Sequence, residues 1–148
     1  MFHFLDFLRG PQLDTLSIVV RLFLAVLCGG VIGIERERKR RPAGFRTHIL
    51  ICLGAALVTL TSQYLLLELK LFTDPARLGA QVIAGIGFIG AGTIMVNRGN
   101  ITGLTTAAGM WVVAGIGMAI GQAVRAFELF TGRATDMTSM ANHFEAAA

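Results

Sequence analysis

The residues able to carry chemistry in this chain are few, and most of them stand at the borders of apolar runs. Glu35, Arg36, Glu37 and Arg38 alternate in sign within the segment Glu35 to Arg46, ERERKRRPAGFR. Side chains in that order can pair locally, grip a charged partner or meet lipid headgroups. Arg21 stands inside an apolar run and Asp74 opens another; the two are candidates for an ion pair, with reach to the headgroups as the simpler role for Arg21. His48, Cys28 and Cys52 complete the reactive set. Nucleophilic catalysis needs a nucleophile beside a base, yet His48 is separated from both cysteines. No His, Cys and acid cluster has the spacing of metal ligands. An enzyme is therefore not expected, nor a metal centre or other cofactor.

Two other patterns are misleading. Gly85-Ile86-Gly87-Phe88-Ile89-Gly90 matches the dinucleotide fingerprint in letters. That fingerprint requires a preceding strand and an acid about 20 residues later. Here the glycines lie within an apolar run, and the region around Met110 has no acid. The net charge of +4 is likewise weak evidence for nucleic acid. Six of the thirteen basic residues fall between Arg36 and Arg46, between two apolar runs, and this is how a cytoplasmic membrane loop looks.

Composition sets the elements that must hold these groups. Of 148 residues, 54% are hydrophobic and 15% charged, with mean hydropathy +0.67. Such a chain is expected to be an all-α, polytopic bundle of about four transmembrane spans. The expected spans are 17–34, 47–67, 78–96 and 102–123, with an interfacial segment over 1–16 and a polar tail over 125–148. Val124 to Phe130 extends the last helix in this reading. Pro42-Ala43-Gly44 breaks the chain after the first span, and Thr47 can cap the second. Thr59, Thr61, Ser62, Gln63 and Tyr64 near the end of the second span either satisfy their own helix or turn a polar face inward. Asp74 and Pro75 make a cap and first-turn pair for the third. The short connection Asn97 to Gly103, which includes Asn100, makes the last two spans an antiparallel hairpin. His48 is expected at the interface, and Thr105 and Thr106 near the cytoplasmic end can bond backbone carbonyls. The basic first connection places the amino terminus outside, and four spans return the carboxyl end outside.

The stretch Gly79 to Met95 is expected to be the central, most tightly packed span. Ala80, Ala84, Gly87 and Ala91 recur at spacings of four, three and four, and with Gly85, Gly90 and Gly92 they would let a neighbouring helix come close. Arg77 and Gln81 accompany Asp74 at its membrane-face end. Gly29, Gly30 and Gly33 permit the same intimacy in the first span.

Three ordered segments, RLFLAVLCGGVIGIERERKRRPAGFRTHILICLGAALVTL, DPARLGAQVIAGIGFIGAGTIM and RGNITGLTTAAGMWVVAGIGMAIG, closely resemble the amino-terminal membrane domain of the MgtC/SapB family. The resemblance implies a small bacterial inner-membrane protein linked to growth in low magnesium and, in pathogens, to survival in phagocytes. It implies a regulator that binds other membrane proteins, the F-type ATP synthase among them; a homo-oligomer and a magnesium or other cation pathway stay open as alternatives. The family's recurring positions correspond to Glu35, Arg36, Glu37, Pro42, Ala43, Gly44, Arg46, Thr47, Asp74, Arg77, Gln81, Gly85, Gly87, Gly90, Gly92, Gly103, Leu104, Thr105 and Thr106. Asn100 matches a position associated with partner contact. Family members usually add a fifth span, whereas this chain is polar from Thr131 onward, as a four-span variant or a truncated chain would be.

Overall fold

A computed structural model of the chain describes residues 15–67, 69, 74–97 and 100–122. The elements are α1 (Thr15–Arg38), α2 (Phe45–Leu67), α3 (Pro75–Thr93), β1 (Met95–Asn97), β2 (Asn100–Thr102) and α4 (Leu104–Gly121). The expected interfacial segment before Thr15, the extension Val124 to Phe130 and the polar tail lie outside the described residues.

α1, α2 and α4 are long and apolar enough to cross a membrane. At 1.5 Å per residue, the 23 residues of α2 reach about 35 Å, the thickness of a hydrocarbon core with a margin. α3 was expected as a fourth span but falls outside that set: Arg77, Gln81 and its many glycines dilute a helix of only 19 residues.

The helices are not packed as the glycine content suggests. α2 and α4 each touch the three other helices, and α3 lies at the side of the bundle against α4 and α2. Small residues do the close packing, but on α1 and α4. Ser17, Arg21, Ala25, Gly29 and Gly33 are buried in α1 at intervals of four, so they form one nearly straight face. A Cβ at Gly29 would lie 2.7 Å from the His48 carbonyl oxygen, and one at Gly33 would lie 2.6 Å from Phe45 Cα. On α4, a Cβ at Gly117 would collide with the Cys52 carbonyl oxygen. Ala25, Cys52, Ala56 and Val113 form the dry centre where these faces meet. Cys28 is half-buried beside it, and both thiols are free, as small hydrophobes in a core.

The ends are set locally. α1 continues through the charged segment to Arg38, so Glu35 to Arg38 are helical rather than loop. α2 begins at Phe45, two residues before the cap expected at Thr47, and Glu37 Oε2 accepts from the Phe45 N–H at 3.1 Å. Asp74 does cap α3, accepting from Ala76 N–H at 2.9 Å. Between α3 and α4 the chain forms a two-stranded antiparallel ribbon with Val96 opposite Ile101. Gly103 follows it at φ 91, where any side chain would be strained and would strike the Thr93 carbonyl.

Candidate functional site

Three groupings of the sequence-expected residues emerge. The first is a buried polar layer at the end of the bundle where α1 begins. Arg21 is 2% exposed, and its Nη1 donates to Gln63 Oε1 at 3.1 Å and to the Gly121 carbonyl at 3.2 Å. Arg21 therefore neither snorkels outward nor pairs with Asp74, which caps α3. The last carbonyls of a helix carry partial negative charge, so a guanidinium at the end of α4 is favourably placed. Ser62 and Ser17 are buried here too. Thr59 turns inward and is satisfied by its own helix, donating to the carbonyls of Ala55 and Ala56 at 3.1 and 3.0 Å. Thr61 and Tyr64 are exposed, so only part of the polar cluster faces the interior.

The second is a polar layer at the opposite end. Arg36 Nη2 donates to Thr106 Oγ1 at 2.8 Å, joining α1 to the first turn of α4. His48, expected at the interface, is wholly buried instead. Its Nδ1 lies 2.9 Å from the Gly44 carbonyl, which can only accept, so Nδ1 carries a proton. His48 Nε2 and Arg36 Nε are buried without a hydrogen-bond partner among the described residues. Thr105, grouped with Thr106 in the sequence, points outward. Of the charged segment, Glu35 contacts Lys39, Glu37 caps α2, and Arg38 and Arg46 are exposed. Asn100 is exposed at the start of β2.

The third is the outer face of α3. Ala80, Ala84, Gly85, Gly87, Ala91 and Gly92 are all exposed, and a Cβ at Gly85, Gly87 or Gly92 would meet nothing within 4 Å. Of the packing residues expected on α3 only Gly90 is buried, with Ala107 Cβ at 3.4 Å from its ideal Cβ. The span expected to be central thus turns its small-residue stripe away from the bundle; Gly79, Ile86 and Gly90 supply its inner face. Arg77 and Gln81 are exposed on the helix end nearest Asp74, and Phe88 is 84% exposed. A cleft of ≈ 310 Å³ runs beside the stripe, lined by Gly87, Gly90, Ala91, Ala107, Ala108 and Trp111 with Ile86 and Ile94.

The MgtC family model matches residues 22–140. The chain belongs to the MgtC family. It is 48% identical over 111 residues to a protein of Escherichia coli K12 named putative magnesium transporter YhiD, a match covering 72% of this chain and 52% of that one. It is 42% identical over 110 residues to protein SapB of Bacillus subtilis, covering 71% and 47%. It is 43% identical over 103 residues to protein MgtC of Salmonella typhimurium, covering 70% and 42%. The chain spans about half the length of the curated relatives it matches. No solved structure matches it. Family membership and three apolar helices make this a multi-pass membrane protein.

Sequence reasoning missed the two polar layers as layers. Arg21 had a visible signal, since it repeats at intervals of four with Ser17, Ala25, Gly29 and Gly33. The Arg36 to Thr106 bond had none, because its partners come from α1 and α4.

Proposed function

We propose that this MgtC-family chain is a regulatory protein of the bacterial inner membrane that docks other membrane proteins on the outer face of α3, with the F-type ATP synthase as the partner class and low-magnesium growth as the setting. The observation that carries this reading is the outward stripe of Ala80, Ala84, Gly87 and Ala91, flanked by Gly85 and Gly92 with open space beyond them. Each glycine weakens its helix by about 1 kcal/mol relative to alanine, a cost the bundle does not recover at these positions. An incoming helix would recover it, because small residues let backbones approach closely where no water drives association. The orientation that fits puts the basic first connection in the cytoplasm and the amino terminus outside.

Photocrosslinkers placed at Ala84 and Gly87 in native membranes test the reading. Crosslinks to other membrane proteins support it, and crosslinks to lipid or to the same chain only would sink it.

One relative's name favours a second reading, movement of magnesium. Magnesium keeps an octahedral oxygen shell and several waters. Asp74, exposed at the end of α3, would stand at the mouth of such a path in an oligomer. Magnesium flux into liposomes holding the purified protein, abolished by Asp74→Asn, would move this reading ahead of the first.

A further inference from the structure

The join between α1 and α2 holds a cleft of ≈ 420 Å³ lined by Ile34, Glu37, Arg38 and Phe45. Its chemistry is divided: Ile34 and Phe45 are 43% and 39% exposed, an apolar wall where α1 leaves its apolar run, and Arg38 stands beside them. Of the two acids here one is paired with a base, while the other, Glu37, lines the cleft beside Arg38, so the excess of basic groups comes from the arginines around it. Glu35 is in contact with Lys39, and Glu37 Oε2 accepts the Phe45 N–H at 3.1 Å. Arg40, in the left-handed region at φ 50, turns the chain, and its N–H donates to the Glu37 carbonyl while that of Arg41 donates to Arg36. The turn leaves Arg38, Arg40, Arg41 and Arg46 exposed around one end of the bundle.

We infer that this cleft binds one anionic phospholipid, with its phosphodiester at Arg38 and the start of its acyl chains along Ile34 and Phe45. The depth fits, because the cleft sits where the apolar run of α1 gives way to charge, the level at which headgroups lie. The charge fits as well. Basic residues next to a membrane helix attract anionic lipid, and an exposed aliphatic and an exposed ring beside an arginine match both halves of a lipid. The site is independent of the docking face on α3.

The test uses the full chain in nanodiscs, with association of spin-labelled phosphatidylglycerol compared with spin-labelled phosphatidylcholine. The wild type is expected to select phosphatidylglycerol, and Arg38→Gln to weaken that selection about fivefold, the contribution of one basic group at an anionic surface. Arg40→Gln removes the same charge outside the cleft and is expected to weaken selection less than Arg38→Gln does. Ile34→Ser should weaken binding of both lipids at the site. Equal association of the two lipids with the wild type overturns the inference, as does an equal effect of Arg38→Gln and Arg40→Gln, which would mean diffuse charge. Displacement by inorganic phosphate as effective as by phosphatidylglycerol would mean a free-phosphate site and likewise overturn it. Arg38 is exposed, so unchanged helical circular dichroism is expected for its variant.

Discussion

Arg36 Nη2 and Thr106 Oγ1 meet at 2.8 Å across 70 positions of sequence, fastening the charged end of α1 to the first turn of α4. Thr106 is 1% exposed. Replacing it by valine keeps the shape and deletes the acceptor. Hydrogen bonds to charged groups are worth about 1.5–3 kcal/mol, so Thr106→Val is expected to destabilise by that amount. Thr105→Val, on the exposed side, should stay within about 0.5 kcal/mol. Denaturation in mixed detergent micelles, followed by circular dichroism, reads both.

Much of this architecture was legible in the sequence, for reasons that also explain what was not. Lipid-crossing helices declare themselves through length and apolarity, and the Asp74-Pro75 cap through local chemistry. Which face of a glycine-rich helix turns inward is not local. In a helix that is apolar on all sides, as α2 and α4 are, the side chains give no inside and outside. Gly87 and Gly117 look alike in the sequence; one opens to empty space and the other presses on the Cys52 backbone. His48 was misplaced for a related reason: adjacency to a basic segment suggests an interface, but the close approach of α1 at Gly29 covers that turn of α2.

At the other end, buried Arg21 and half-buried Gln63 form a pair whose worth a double-mutant cycle can isolate. Gln63→Leu is expected to cost about 1–2 kcal/mol, since a charge-assisted bond is lost while Arg21 keeps the Gly121 carbonyl. Arg21→Met removes the cation and, with it, the bonds to Gln63 and to the Gly121 carbonyl. Residues in direct contact couple by 0.5–3 kcal/mol, and about 1 kcal/mol is expected here. Additive effects in the unfolding midpoints would contradict the pairing.

Glu37 has a role that its neighbour Glu35 lacks. Its carboxylate receives the Phe45 N–H, so Glu37→Ala should cost about 1 kcal/mol, the usual effect of losing a helix cap. Glu37→Gln keeps a carbonyl acceptor and should recover part of it. Glu35 lies past the apolar run, and hydrogen bonding and charge from Lys39 hold its carboxyl below the usual range. The sign follows from linkage: stability from this contact is present above the unfolded carboxyl pKa and lost as pH falls through the folded one. Both side chains are more than half exposed, so Glu35→Gln should leave the unfolding midpoint nearly unchanged.

The two kinds of glycine separate folding from partner binding. A side chain at Gly117 has no room, because its Cβ would collide with the Cys52 carbonyl and lie 3.0 Å from Ala55 Cβ. Overpacking of this sort costs about 1–3 kcal/mol even for small additions, so Gly117→Leu should prevent the bundle from assembling. Gly87 faces open space, and leucine there gains up to about 1 kcal/mol of helix propensity. Gly87→Leu is therefore expected to insert and fold as well as the parent or better, yet to lose crosslinks from Ala84 to other membrane proteins. Gly90 is unsuited to the comparison, since Ala107 lies against it and a change there would disturb both properties. If Gly87→Leu keeps every crosslink at the parent's yield, a helix does not approach closely there, and the outer face of α3 has no part in recognition.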